Sequence, residues 1–123
     1  MIQPTQQLGT DGERIVGAWL ESKGITILAY NYRTKLGEVD LIVTKNETVA
    51  FVEVKTRKHK YFAISDTVTF SKQQKIIRAA KSFVLKHGIT DKVLRFDVAT
   101  ILYQEKSYTI QYIPNAFQAK SHY

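Results

Sequence analysis

Two stretches of alternating apolar and polar residues, joined by a short polar segment, restrict the fold of this chain more than any other feature. Residues 38–43 read EVDLIV and residues 49–55 read VAFVEVK, with TKNET between them. Such alternation is typical of a strand with two different faces, and a short polar link between two such strands predicts an antiparallel hairpin. The chain is therefore expected to be built around a sheet.

Charged residues gather at the same end of both predicted strands. Because side chains alternate between the two faces of a strand, Glu53 shares a face with Lys55, and Glu38 shares a face with Asp40. If the turn is centred between Asn46 and Glu47, Asp40 lies opposite Glu53 and Glu38 lies opposite Lys55. Two carboxylates that face each other repel unless something positive lies between or beside them.

A divalent cation would relieve this repulsion. Mg²⁺ takes carboxylate oxygens, needs few protein ligands and keeps several waters, so Asp40 and Glu53 are candidate ligands of Mg²⁺ or Mn²⁺. Lys55 on the same face could orient or help to deprotonate a nucleophilic water, and could stabilise charge on a phosphate. The alternative is that Glu53 and Lys55 form a solvated ion pair, and that Glu38 and Lys55 form an ordinary cross-strand salt bridge.

The remaining periodicity predicts two helices and three further strands. A capping-box pattern at Thr10 and Glu13 predicts a helix that runs to about Lys23, and a second pattern at Ser71 opens a helix that ends at Gly88. The resulting order is helix, three strands, helix, two strands, which is typical of an α/β fold with a mixed sheet flanked by helices. We expect one domain over residues 1–123, with a loose tail from about residue 114. The predicted strands are 25–30, 38–43, 49–55, 94–102 and 108–113.

Glu13 and Asp97 each have two interpretations. The capping box accounts for Glu13, yet this residue also borders the apolar stripe of its helix and could point towards the sheet. Asp97 lies in an apolar strand, and we interpret it as structural.

The net charge of +7 is concentrated in the middle of the chain. Residues 55–92 carry ten basic and two acidic side chains, a net charge of +8, while residues 1–54 carry a net charge of −2. A basic segment of this kind commonly binds nucleic acid, although a solvated basic surface has the same composition. The candidate contacts to nucleic acid in this segment are Arg57, Lys58, Lys75 and Arg78, and His59, Tyr61 and Phe62 are weaker candidates.

The composition argues against cysteine chemistry and against membrane or export segments. The chain contains no cysteine, which excludes disulfides and thiol chemistry. No long apolar run and no basic segment followed by an apolar one is present, so neither a membrane span nor a signal peptide is expected. We therefore expect a cytoplasmic protein.

Several short motifs in combination resemble the YraN family of bacterial proteins. They include Gly12-Glu13, the run GEVDLI at 37–42, the run FVEVK at 51–55 and the run RFDV at 95–98. The similarity extends from about Gly9 to Ile101.

The resemblance implies membership of the PD-(D/E)xK nuclease superfamily, with a restriction-endonuclease-like (tRNA endonuclease-like) core close to that of Holliday junction resolvases. It makes Asp40, Glu53 and Lys55 the two core acids and the lysine, and Glu13 an additional acid from the first helix. It also implies a basic helix after the core motif, in which Lys72, Gln73 and Lys75 contact nucleic-acid phosphates or support the site. It further implies a Mg²⁺- or Mn²⁺-dependent DNA endonuclease, acting on branched or single-stranded substrates and forming a homodimer. The alternative is a nucleic-acid-binding protein of the same fold that does not cleave.

Overall fold

The computed structural model describes residues 4–58 and 68–119, with residues 4–10 described by their backbone alone. Its elements follow the predicted order of helix, three strands, helix and two strands. They are α1 (Pro4–Glu21), β1 (Thr26–Arg33), β2 (Glu38–Lys45), β3 (Thr48–Arg57), α2 (Phe70–Lys86), β4 (Val93–Gln104) and β5 (Ser107–Phe117).

The five strands form one mixed sheet in the order β1-β2-β3-β4-β5. Neighbouring strands are antiparallel except for β3 and β4, which are parallel. Two adjacent parallel strands need a crossover connection, and the segment that contains α2 provides it. The predicted mixed sheet flanked by helices is confirmed at this level.

A separate apolar cluster covers each face of the sheet. On one face Val16 and Leu20 of α1 pack on the sheet, and on the other face Ile76, Ala80 and Phe83 of α2 do so. Alternation along the strands supplies both clusters, since Ala50 and Val52 face α1 while Val49 and Phe51 face α2.

The predicted starts of both helices are wrong. Helix α1 begins at Pro4, so Thr10 lies inside the helix and not at its N-cap. Proline is favoured at the first helical position because its missing N–H would have no partner there. Helix α2 is capped by Thr69, whose hydroxyl accepts a hydrogen bond from the Lys72 N–H at 3.2 Å, and not by Ser71.

The last strand extends four residues beyond its predicted end at Ile113, because a buried carboxylate holds it. Asp97 is fully buried and accepts two hydrogen bonds from the Arg95 guanidinium, both at 2.9 Å. It also accepts hydrogen bonds from the Tyr112 hydroxyl and from the backbone N–H of Asn115 at 2.8 Å. The structural interpretation of Asp97 is confirmed. Residues 120–123 lie outside the described part of the chain.

The turn between β1 and β2 packs directly on helix α2. A Cβ atom added at Gly37 would lie 2.6 Å from the backbone carbonyl carbon of Lys75, which is closer than a Cβ atom approaches any neighbour. Only glycine therefore permits this approach, and it fixes the N-terminal half of α2 relative to the start of β2. Across residues 4–58 and 68–119, neither helix has the length and apolar character that crossing a membrane requires.

Candidate active site

The hairpin of β2 and β3 has the predicted register. Its ladder runs from Lys45 opposite Thr48 to Leu41 opposite Val52, and a two-residue turn joins the strands. The ladder ends one pair before Asp40 would meet Glu53. From that point the Asp40 side chain replaces the backbone pairing, since its Oδ2 accepts a hydrogen bond from the Val54 N–H at 2.8 Å.

Asp40 lies in an environment that disfavours its charged form. Burial, followed by the nearby charge of Glu53 and a hydrogen bond with the Glu53 side chain, raises the pKa of Asp40 to about 8. The Val54 N–H opposes this rise, because it favours the ionised carboxylate. Asp40 and Glu53 therefore form a carboxyl pair that retains a proton at neutral pH when no cation lies between them.

Glu53 is almost completely buried, with 2% of its surface exposed, and two lysines contact the same oxygen. The Nζ atom of Lys55 lies 3.1 Å from Glu53 Oε2, and the Nζ atom of Lys72 lies 3.3 Å from it. A buried carboxylate needs such partners to remain charged. Burial lowers the pKa of Lys72, but the attraction and hydrogen bond of Glu53 outweigh it, so that the pKa is raised overall.

Glu13 points towards this carboxyl pair. It is buried, and burial is the main reason that its pKa is raised, while the charge of Glu53 adds to the rise. The Asn31 side chain forms a hydrogen bond with Glu13 and partly counteracts the rise. Since α1 begins at Pro4, the capping-box interpretation of Glu13 is wrong, and the interpretation that directs it towards the sheet is confirmed.

A local irregularity brings Asn31 into position. Asn31 has a φ of 49°, in the left-handed region, within β1.

Alternation predicts that Val39 packs with Leu41 and Val43, yet Val39 packs in the α2-facing cluster with Ile42. The alternation of β2 therefore changes next to Asp40, the residue that bonds to β3 through its side chain.

Glu38 does not contact Lys55 as the register predicts. Its carboxylate pairs with the Arg33 guanidinium at 3.2 Å, across the β1–β2 turn, while Lys55 pairs with Glu53. The predicted cross-strand salt bridge is therefore wrong, because the β2–β3 ladder ends before Glu38 reaches β3.

The predicted nucleic-acid contacts occupy different positions. Lys72 lies within the carboxyl cluster, and Gln73 donates a hydrogen bond to the Val68 carbonyl oxygen at 3.1 Å. Lys75 and Arg78 are exposed on α2. Arg57 ends β3 and donates a hydrogen bond to the Thr56 carbonyl oxygen, and Lys58 is exposed next to it. His59, Tyr61 and Phe62 lie outside the described residues.

The donor set suits a divalent cation with few protein ligands. Within residues 4–58 and 68–119, no three acidic or histidine side chains converge closely enough to hold a metal ion. Two carboxyl groups do converge, and burial together with their mutual repulsion raises the pKa of Asp40, which is a situation that a cation relieves. Mg²⁺ commonly uses one or two carboxylates and fills its other positions with water. Asp40 and Glu53 thus fit Mg²⁺ or Mn²⁺, with Glu13 in reach of their charge.

Comparison with known proteins identifies the family. Residues 12–101 match the sequence model described as "Uncharacterised protein family UPF0102". The chain belongs to the UPF0102 family. This is the family, also called YraN, that its motifs resemble, so the predicted resemblance is confirmed.

Full-length relatives share the UPF0102 assignment. A UPF0102 protein of Alkaliphilus metalliredigens is 43% identical over 114 residues, which cover 92% of this chain and 99% of the relative. A UPF0102 protein of Desulforapulum autotrophicum is 40% identical over 119 residues, which cover 96% of this chain and 98% of the relative. The UPF0102 match spans every residue of the carboxyl and lysine cluster, from Glu13 to Lys72.

Proposed function

We propose that this UPF0102 protein is a Mg²⁺- or Mn²⁺-dependent endonuclease that hydrolyses phosphodiester bonds in DNA. The observation that carries the proposal is the convergence of Asp40, Glu53 and Lys55 at the point where the β2–β3 ladder ends. The proposal includes a restriction-endonuclease-like core for the five-stranded sheet and a homodimer, as the resemblance to PD-(D/E)xK nucleases implies.

Asp40 and Glu53 would hold the divalent cation. When bound, that cation supplies a Lewis acid for the scissile phosphate and lowers the pKa of a coordinated water. Asp40 is held for this role by the Val54 N–H, which leaves its second oxygen free of that bond. Glu13 adds negative charge beside the pair and thereby favours a cation there.

Lys55 would act on the nucleophile and the phosphate. Its Nζ atom is held 3.1 Å from Glu53 Oε2, so its position is fixed relative to the proposed metal ligands. From there it can donate a hydrogen bond to the attacking water and stabilise negative charge that builds on the phosphate oxygens. Lys72, which shares the same carboxylate oxygen, would add a second positive charge on the side of α2.

Metal-dependent cleavage of a DNA panel tests this function. The panel contains duplex, flap, four-way junction and single-stranded DNA, each incubated with Mg²⁺, Mn²⁺ or EDTA. We expect cleavage only in the reactions that contain Mg²⁺ or Mn²⁺. The cleavage rate of Lys55→Ala should be lower than that of wild type by about 10²-fold or more. Lys106→Ala, which changes an exposed lysine in the β4–β5 turn, is the matched control and should retain the wild-type rate. Equal rates in the Lys55→Ala and control variants would contradict the role of Lys55.

Calorimetry with Mn²⁺ tests the ligands separately from cleavage. Asp40→Ala and Glu53→Ala should each weaken Mn²⁺ binding by about tenfold or more, because each removes one of two carboxylates. Unchanged Mn²⁺ affinity in both variants would show that the site is assigned to the wrong residues.

A second candidate function is nucleic-acid binding without cleavage. It is favoured by the two lysines that already neutralise Glu53. This function predicts that the wild type binds the DNA panel but cleaves none of it with either metal.

A further inference from the structure

The turn between β1 and β2 holds an apolar side chain in open solvent. Leu36 is 66% exposed at the tip of this turn. The turn is closed by a hydrogen bond from the Thr34 N–H to the Gly37 carbonyl oxygen at 2.8 Å. The backbone N–H groups of Leu36 and Gly37 both donate to the Thr34 hydroxyl oxygen at 3.1 Å. The position of Leu36 is therefore fixed by its own turn.

Packing on helix α2 also fixes the position of the turn. Gly37 packs so closely on the Lys75 carbonyl group that no larger residue fits there. Leu36 is thus a rigidly presented apolar group, and rigid presentation reduces the entropy that a contact with a ligand would cost. Nothing in the packing of the turn requires a large apolar side chain at this position, because most of its surface faces solvent.

Cationic residues share a hollow with Leu36. The hollow has a volume of about 250 Å³ and is lined by residues 33–38 and Lys75. Among the described residues that line it, Arg33, Lys35 and Lys75 are cationic, and Glu38, which pairs with Arg33 at 3.2 Å, is the one acid. The charges of these lining residues sum to +2, which suits an anion such as a phosphate.

The hollow adjoins the candidate active site through two elements. Glu38 is two residues from Asp40 on β2, and Lys75 is three residues from Lys72 on α2, so about one helical turn separates the two lysines. A nucleic-acid strand with its scissile phosphate at Asp40 and Glu53 would place a flanking phosphate within reach of the hollow.

We propose that this hollow binds a flanking backbone phosphate, and that Leu36 packs against a base that is not stacked in a duplex. The proposal rests on the proposed function and assigns two of its substrate contacts, a flanking phosphate to the hollow and an unpaired base to Leu36. The bases of a regular duplex are covered by their neighbours, whereas a single strand or branch point exposes a base face to an apolar side chain. The lysines of the hollow contribute affinity for any strand, while Leu36 contributes the preference for unpaired bases.

Fluorescence anisotropy in EDTA tests the proposal without cleavage. Labelled single-stranded DNA and a duplex of the same length are titrated with wild type, with Leu36→Ala, and with Leu85→Ala as the matched control, since Leu85 is 81% exposed at the other end of α2. We expect Leu36→Ala to weaken binding of the single strand by at least about threefold and to leave duplex binding unchanged. Leu85→Ala should bind both DNAs as wild type does.

Salt dependence tests the phosphate site. In the double variant Lys35→Gln/Lys75→Gln, the negative slope of log affinity against log salt for the single strand should become less steep by about 0.7, the value for one lost phosphate contact. At 0.1 M salt this corresponds to a loss of about fivefold in affinity. The double variant Lys86→Gln/Lys106→Gln removes the same charge at exposed positions outside the hollow and should keep the wild-type slope.

The outcomes separate this proposal from the proposed function. If wild type binds neither DNA at low salt, this proposal fails, and the cleavage panel decides whether the proposed function fails with it. If wild type binds and the Leu36 and lysine variants behave as their controls do, this proposal is overturned, and the proposed function depends on the cleavage panel alone. Equal weakening of single-stranded and duplex binding by Leu36→Ala would refute the assigned preference for unpaired bases.

Discussion

Replacing Asp40 with asparagine should stabilise the metal-free protein at neutral pH. Asparagine resembles the protonated acid, since its amide oxygen can accept the Val54 N–H and its NH₂ group can donate to Glu53. The pKa of Asp40 is raised from 3.8 to about 8 in the folded protein. The protonated Asp40 side chain therefore contributes its full stabilisation below the unfolded pKa of 3.8. This contribution declines as the pH rises towards the folded pKa of about 8 and is lost above it.

The size of the effect follows from this interval. Between the two pKa values the unfolded chain is ionised at Asp40 while the folded chain is protonated, so each pH unit lowers the free energy of unfolding by about 1.4 kcal/mol. From pH 5 to pH 7 the wild type should lose up to about 3 kcal/mol through this residue. Asp40→Asn lacks the ionisation, so its advantage over wild type should grow by the same amount across that range.

Urea unfolding in EDTA at pH 5, 6 and 7 measures this directly. The fluorescence of Trp19, the single tryptophan, reports unfolding because its ring packs 5.7 Å from that of Tyr112. Asp91→Asn is the matched control, since Asp91 is exposed and the same substitution there should not change the pH dependence. Parallel stability curves for wild type and Asp40→Asn over this range would refute the raised pKa and the carboxyl pair behind it.

Addition of Mn²⁺ at pH 7 should make wild type more stable than Asp40→Asn. A ligand that binds only the folded state raises the free energy of unfolding in proportion to the logarithm of its concentration over Kd. Wild type should gain stability with increasing Mn²⁺, whereas Asp40→Asn should gain little because it lacks one carboxylate ligand. A variant that Mn²⁺ stabilises as strongly as wild type would remove Asp40 from the proposed metal site.

Four further substitutions, one of them a control, test the site and the packing around it. Lys72→Met should tighten Mn²⁺ binding in calorimetry by about threefold or more, because the lysine competes with a cation for Glu53, and unchanged affinity would contradict this competition. Gly37→Ala should lower the free energy of unfolding by about 1–3 kcal/mol in urea. Gly12→Ala in α1 is the control, because an added Cβ there would lie 3.4–3.5 Å from side chains of β3 and β4, which are ordinary contacts. It should not lower the free energy of unfolding. Asp97→Ala should lower the free energy of unfolding by about 3 kcal/mol, since it leaves a guanidinium, a hydroxyl and an amide without their shared acceptor, and a loss below about 1 kcal/mol would contradict this role.

The hairpin and its register could be predicted because local rules determine them. The side-chain alternation of β2 and β3 fixes which residues share a face, and a two-residue turn then fixes which residues pair. These two facts bring Asp40 and Glu53 to the same place without knowledge of the rest of the fold. The order of helices and strands follows from periodicity in the same way.

The contacts made by Lys72, Asn31 and Arg33 could not be predicted in this way. Lys72 reaches Glu53 only because α2 crosses the sheet at one position, which depends on the approach of Gly37 to the helix and on packing across the whole α2-facing cluster. Asn31 reaches Glu13 because its backbone adopts a positive φ within a strand. The predicted strand ends at residue 30, and the asparagine directly after it was the available signal, since asparagine tolerates this conformation better than most residues.

The charges around Glu53 connect the proposed metal and the proposed DNA contacts. Without metal, Glu53 is neutralised by Lys55 and Lys72, and the pair with Asp40 retains a proton. A divalent cation at this pair would take over the positive charge that the lysines supply to Glu53. Lys72 would then be released at the first turn of α2, on the helix that also carries Lys75. Metal binding should therefore strengthen DNA binding both through the charge of the cation and through the released Lys72. Lys72→Met should reduce the gain in DNA affinity that Ca²⁺ or Mn²⁺ produces.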